Sequence, residues 1–288
     1  MNVLITGANG QLGSEIKDCK PNFKALNYFY ADLPDIDICN EDAVNKFVTK
    51  NSIKAVINCA AYTAVDKAEE DTETAKKVNT VGVFNLVKAM ENVNGKIIHI
   101  STDYVFDGTK TLPYDEEDTV SPIGVYGKTK REGELAVINS SLEGIVIRTS
   151  WLYSAYGNNF VKTMMRLGKE KKKLNVIFDQ IGTPTFAGDL ANTCLAILSN
   201  VQNRIDEAGK VYHFSNEGVA SWYDFATAVM KINKLDCEVL PIETKDYPTL
   251  AKRPYYSVLN KTKIKKNFKT TIPYWRDSLE KCIQKLNS

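Results

Sequence analysis

The stretch "ITGANGQLGSEI", residues 5–16, places Gly7, Gly10 and Gly13 directly after the apolar run "NVLIT" (2–6) and at the head of an amphipathic helical pattern. A glycine-rich string carries little information alone. It gains meaning when a strand precedes it, a tight turn contains it and a helix follows. Glycines let the backbone approach a pyrophosphate, whose charge the N–H groups at a helix N-terminus can hold. The spacing is G-x-x-G-x-x-G rather than G-x-G-x-x-G, and we read it as a dinucleotide-binding loop.

Working outward, "NYFYA" (27–31), "KAVINCAA" (54–61), "KIIHIS" (96–101) and "GIVIRTS" (144–150) are apolar on both pleats, as buried parallel strands are. Between them, "QLGSEIKDC", "NEDAVNKFVTKN", "TAKKVNTVGVFNLVKAMEN" and "VYGKTKREGELAVIN" space their apolar residues as helices do. Such alternation predicts an α/β fold, a Rossmann-type doubly wound parallel sheet. Past residue 150 the rhythm loosens: "LNVIFD" (174–179) and "VYHFSN" (211–216) can add strands, and the remainder reads as a smaller C-terminal substrate-binding subdomain. The expected division assigns 1–149 and 174–214 to a dinucleotide-binding domain, and 150–173 and 215–288 to the subdomain.

Composition narrows the function classes. A net charge of +2 over 288 residues gives no field suited to a polyanion, so no nucleic-acid partner is expected. Six cysteines without a C-x-x-C and only two histidines, His99 and His213, argue against a zinc site or a histidine-dependent triad. The N-terminus lacks a basic segment followed by a long apolar one, and no 18-residue apolar run occurs. A cytoplasmic protein with no membrane partner is the expectation.

The chemistry-bearing residues lie where a parallel sheet ends. Asp32 follows the second strand, at the place for an acid that accepts hydrogen bonds from an adenosine ribose. No Arg occurs between residues 14 and 40, while Lys20 and Lys24 are present, so either NADH or NADPH is expected. "HISTDYVFDG" ends the fourth strand with Ser101, Thr102 and Asp103, hydroxyl and carboxyl groups at the edge where ligands bind. In "GVYGKTKREGE" (124–134), Tyr126 and Lys130 stand one helical turn apart on one face. Chance spacing would supply about two Tyr-x-x-x-Lys/Arg pairs in a chain of this composition, so the pair alone proves nothing. Beside a dinucleotide loop and a strand-end hydroxyl it reads as a device for protonating a developing alkoxide. A nearby ammonium favours phenolate and so makes the phenol a better acid.

These residues resemble the extended short-chain dehydrogenase/reductase family through "TGANGQLG", "NCAAYTAVDKAE", "VNTVGVFNLVKA", "STDYVFDG" and "YGKTK". Their order, continuing through "IRTSWLY", "GNNFVKTMMRL", "DQIGTPT" and "RPYYSVLN", is most similar to the family's reductases of 4-keto sugar nucleotides. The resemblance implies a dTDP-sugar substrate and Thr102, Tyr126 and Lys130 as the catalytic residues. It implies Asp103 and Trp151 at the sugar nucleotide, and Gly10, Gln11, Leu12, Asp32, Asp37, Ile38, Ala61, Tyr62 and Thr63 at the NADPH or NADH. Asn79 resembles a helix Asn that supports Lys130 through water. Some relatives form a homodimer around Mg²⁺ held by glutamates. Glu15 matches one such position, but the second falls at Gly188, beside Asp189, so no metal is assigned and a monomer or a homodimer both remain open.

Two other functions use the same scaffold. One is a sugar-nucleotide dehydratase or epimerase, beside a reductase of another NDP-4-keto-6-deoxy sugar; dehydratases of this family carry Glu after Thr-Asp, where this chain has Tyr104. A non-catalytic regulatory subunit has no need to keep Thr102, Tyr126, Lys130 and Trp151 together.

Overall fold

The structure is a computed structural model that describes residues 1–200 and 210–288. Its strands are β1 (Asn2–Thr6), β2 (Asn27–Ala31), β3 (Ala55–Asn58), β4 (Lys96–Thr102), β5 (Glu143–Thr149), β6 (Leu152–Tyr153), β7 (Lys173–Ile177), β8 (Ile181–Gly182), β9 (Thr185–Phe186), β10 (Val211–His213), β11 (Ala220–Ser221) and β12 (Glu238–Ile242). Its α-helices are α1 (Gln11–Cys19), α2 (Glu41–Lys50), α3 (Val65–Glu70), α4 (Thr72–Lys76), α5 (Gly82–Glu91), α6 (Val125–Ile138), α7 (Phe160–Glu170), α8 (Ala187–Ser199), α9 (Trp222–Ile232), α10 (Thr262–Phe268) and α11 (Trp275–Asn287).

Six strands form one parallel sheet in the order β2-β1-β3-β4-β5-β10. The apolar runs explain it. Alternate residues of each strand enter opposite layers: Val3, Ile5, Ile57, Ile98, Ile145 and Ile147 pack with α1 and α8. Leu4, Val56, Ile97 and Val146 pack with α2, α5 and Val137 of α6. Both faces are therefore covered, as a parallel sheet requires. The strand order reverses between β1 and β3, so their carboxyl ends open a crevice at the topological switch point.

A second core gathers α7, α9 and α11 around Phe225, Trp275, Met164 and Leu279. The strand expected at 174–179 forms as β7 but pairs with β12 in a separate two-stranded sheet, outside the central one. Its pattern is half-exposed, with Lys173 and Asn175 facing solvent, and both faces of a central strand must be apolar. The strand expected at 211–216 does join the central sheet, beside β5.

One expected helix is interrupted. The stretch 74–92 runs as α4, a π-helical turn over Lys77–Val81, and α5. The wider turn carries Asn79, whose side chain clasps the Tyr62 backbone: the Tyr62 N–H donates to Oδ1 at 2.9 Å and Nδ2 donates to the Tyr62 carbonyl at 3.2 Å. Such π-turns often mark functional segments.

Candidate active site

The glycine loop lies at the switch point. Gly7 takes φ +59°, and a Cβ there would fall 2.7 Å from the Ala60 nitrogen at the end of β3. A Cβ on Gly10 would meet nothing nearer than the Gly7 carbonyl, at 3.2 Å, so the surface above it is open. Gly10 precedes α1 without a side-chain cap, which leaves N–H groups for an anion. Asp32 sits beside this loop, accepting the Asn9 N–H at 3.0 Å and the Leu33 N–H at 2.9 Å. Gln11 accepts from Asn159 Nδ2 at 3.0 Å, which ties the loop to the segment before α7, and Leu12 is buried. Ala61 and Tyr62 are half-buried and Thr63 exposed, in the segment after β3. Asp37 binds the Cys39 N–H, and Ile38 is buried with its carbonyl held by Asn85. An open, donor-rich loop with an acid beside it fits a dinucleotide.

Thr102, Asp103, Tyr126 and Lys130 come together at the carboxyl end of β4. Thr102 accepts the Tyr104 N–H at 3.2 Å and donates to Asp103 Oδ1 at 3.1 Å. Burial pushes the Tyr126 phenol up to about 12; the neighbouring Thr102 hydroxyl opposes the shift and the Asp103 charge adds to it. Lys130 Nζ donates to the Ile100 carbonyl at 2.7 Å. Burial draws its ammonium down to about 8, against the charge of Glu134. The lowering of Tyr126 by Lys130 that the i, i+4 spacing suggests is not what sets this phenol: desolvation dominates and raises it. Asp103 is 2% exposed and burial raises it to about 6. Its Oδ2 makes no well-formed hydrogen bond, though the Ser257 hydroxyl is near enough to draw the pKa down.

Trp151 leaves β5 at φ +48°, a strained backbone for a bulky residue. Its ring stacks on Trp222, centroids 3.7 Å apart at 11°. A Cβ on Gly182 would lie 2.8 Å from Trp151 and 2.9 Å from Ser257 Oγ. Gly182 therefore lets the Trp151 ring and Ser257 approach its backbone closely, and Ser257 in turn stands beside Asp103.

Asn79 donates to Thr129 Oγ1 at 3.1 Å, next to Lys130, besides holding Tyr62. Sequence reasoning passed over Ser257 and the pair Glu134–Arg148. Arg148 Nε and Nη2 bind the two Glu134 oxygens at 2.8 and 2.9 Å, with both side chains buried. Glu134 follows Lys130 by one helical turn, and that spacing was the signal available. Ser257 had none, since a lone Ser between Tyr and Val is featureless in sequence.

The Glu15 region does not fit Mg²⁺. Ser154 Oγ donates to Glu15 Oε1 and Lys285 Nζ to Oε2, each at 2.7 Å, so both carboxylate oxygens are taken and the cation present is an ammonium. Lys285 also binds Asp18. Burial would lower the Lys285 pKa, but these two carboxylates hold it above its ordinary value. Gly188 adds no donor atom, and Asp189 is engaged by Asn216 and Ser278. Among the described residues no group of three or more His, Cys, Asp or Glu is placed to hold a metal, and no helix is long and apolar enough to cross a membrane.

The family described as the RmlD substrate binding domain matches residues 1–288. A dTDP-4-dehydrorhamnose reductase of Aggregatibacter actinomycetemcomitans is 42% identical over 286 residues, covering 96% of this chain and 97% of that relative. The crystal structure of a dTDP-4-dehydrorhamnose reductase from Clostridium acetobutylicum has a TM-score of 0.94 at 42% identity, over 100% of both chains. That of a dTDP-4-dehydrorhamnose reductase from Bacillus anthracis, in complex with NADP, has a TM-score of 0.92 at 37% identity, over 99% of both. Fold and glycine loop are those of a dinucleotide-binding α/β protein of the extended short-chain type. The chain belongs to the RmlD substrate-binding-domain family.

Proposed function

We propose that the chain reduces the C4 keto group of dTDP-4-dehydro-β-L-rhamnose with NADPH or NADH in the cytoplasm, giving dTDP-β-L-rhamnose. The observation that carries this reading is the gathering of half-buried Tyr126 with buried Thr102 and Lys130 at the carboxyl end of β4. Gly7, Gly10, Gln11, Leu12 and Gly13 would hold the dinucleotide pyrophosphate, with Asp32 at the adenosine ribose, Asp37 and Ile38 at the adenine, and Ala61, Tyr62 and Thr63 along its length. When bound, the reduced nicotinamide supplies a hydride to the carbonyl carbon.

The protein's own part is to manage charge on the oxygen. Tyr126 Oη donates its proton to O4 as negative charge develops there, and Thr102 donates a hydrogen bond to the same oxygen. A phenol raised to about 12 stays protonated at neutral pH, as a proton donor must. Lys130, at about 8, keeps most of its charge at pH 7 and is the group that would offset the phenolate left behind and hold the nicotinamide ribose. Asp103 and Trp151 face the sugar nucleotide. Tyr104 in place of a carboxylate favours reduction over dehydration.

We assign the cofactor to residues 1–149 with α8 and β10, and the substrate to the remainder, where β7 belongs because it pairs with β12. The range 174–214 expected for the cofactor domain includes 201–209, which lie outside the described residues.

The test is NAD(P)H oxidation followed optically with dTDP-, UDP- and GDP-linked 4-keto-6-deoxy sugars, with product stereochemistry read by NMR. Oxidation is expected only with substrate present and fastest with the dTDP sugar. If none of these sugars supports turnover, the proposal fails. NADH and NADPH should both serve, because Asp32 suits a free 2′-hydroxyl while Lys20 and Lys24 can meet a phosphate. Their kcat/KM values should differ by less than about a thousandfold, roughly 4 kcal/mol. Lys130→Met should weaken dinucleotide binding, measured by fluorescence titration, and slow turnover as well, each by about tenfold or more. Unchanged cofactor affinity would remove the ribose from its role.

A further inference from the structure

The "VDKAEE" stretch forms α3, and two of its carboxylates reach past their own helix to parts of the chain that frame the reacting groups. Glu69 Oε1 accepts the Val125 N–H at 2.8 Å, across 56 residues. That N–H opens α6, which has no side-chain cap of its own and no acid in its first turn. The spacing at the junction is close: a Cβ on Gly124 would lie 2.7 Å from Glu69 Oε1. The next turn is tight as well, since a Cβ on Gly127 would lie 2.2 Å from the Tyr104 carbonyl. Tyr126 stands between these two contacts, and its ring meets Tyr104 edge-on at 5.5 Å.

Asp66, one turn earlier on α3, grips the other side of the site. It binds Arg253 Nη2 at 2.7 Å and Nη1 at 3.2 Å, and accepts the Ala251 N–H at 3.1 Å. The segment it anchors leads four residues on to Ser257, beside Asp103. One short helix therefore holds both the turn that carries Tyr126 and the segment that leads to Ser257.

We propose that Glu69 is a positioning residue for Tyr126: by capping α6 from α3, its carboxylate sets where the phenol stands relative to Thr102. The inference rests on Tyr126 being the general acid. A helix N-terminus left without its acceptor frays in its first turn, and displacement of a proton donor by about 1 Å can cost about 10²-fold in rate.

Three full-length variants test it. Glu69→Ala removes the acceptor, Glu69→Gln keeps an oxygen at Oε1 without the charge, and Gly124→Ala keeps Glu69 but crowds its carboxylate. Steady-state kinetics, NADPH titration and hydrogen exchange of peptides spanning 124–130 are measured on each. Glu69→Ala and Gly124→Ala should lower kcat by about 10- to 100-fold, with KM and NADPH affinity within about threefold of wild type. Exchange in the first turn of α6 should quicken by about tenfold in both, and Glu69→Gln should restore both readouts to within about threefold. The inference is overturned if Glu69→Ala keeps wild-type kcat, if kcat and NADPH affinity fall together, or if Glu69→Gln is as slow as Glu69→Ala. Should Glu69→Ala not fold, Gly124→Ala and Glu69→Gln decide between the same outcomes. A wild-type protein that reduces no 4-keto sugar nucleotide would sink the functional reading instead, and the exchange data would still report whether Glu69 caps α6.

Discussion

Tyr126→Phe should lower kcat by about 10²- to 10⁴-fold while leaving NADPH affinity and KM close to wild type. Phenylalanine keeps the ring that meets Tyr104 edge-on, so the first turn of α6 retains its packing. What disappears is the hydroxyl beside Thr102, the proposed source of the proton for O4. Asp103, at about 6, is a buried acid beside Thr102 and is largely ionised at neutral pH, which leaves it a poor substitute donor. Thr102 can still donate a hydrogen bond, so a residual rate is expected, but a hydroxyl of that kind does not give up its proton. Steady-state rates with the dTDP 4-keto sugar, set beside a fluorescence titration of NADPH, separate the two effects. A variant that retained more than about a tenth of wild-type kcat would exclude the phenol as general acid.

Glu134→Ala should be the most damaging single change to stability among those considered, at about 3–5 kcal/mol. Arg148 is 1% exposed, and Glu134 meets it through two oxygens while also accepting from Arg131 Nη1 at 2.7 Å. Deleting the carboxylate leaves a guanidinium in the interior with no counter-charge, and its Nη1 already lacks a partner. Breaking such a pair costs more than the pair contributes, because the desolvated charge remains. For a chain of this size the melting temperature should fall on the order of 10 °C. The double variant Glu134→Leu/Arg148→Met should recover most of that loss, since it removes both charges and keeps volume. Activity should suffer separately, because the Glu134 charge holds up the Lys130 pKa against burial, and its loss brings Lys130 closer to neutrality at working pH. If the single variant melted within about 2 °C of wild type, the buried pair would not be the anchor described here.

Much of the fold was legible because it is written in short-range periodicity. Two-sided apolar runs mark β1, β3, β4 and β5 as interior strands, and the glycine loop follows from strand, turn and helix in immediate succession. The i, i+4 spacing placed Tyr126 and Lys130 on one face, since a helix fixes that geometry whatever surrounds it. Spacing carried no information about desolvation, which pushes the phenol up to about 12. The π-turn at Asn79 was also hidden: the Asn79 side chain binds the Tyr62 backbone, 17 residues away, and helical periodicity does not record such a partner.

By itself, then, the sequence determined the alternation of strand and helix, the dinucleotide loop, and the residue types gathered at the end of β4. Tertiary structure alone decided which distant groups meet: β7 with β12, Ser257 with Asp103, Glu69 with the head of α6, and Lys285 with Glu15 across 270 residues. The physical reason is range. Backbone hydrogen bonding and side-chain periodicity act over one or two turns and leave a repeating mark, whereas a buried carboxylate takes whichever donor the completed packing brings within about 3 Å.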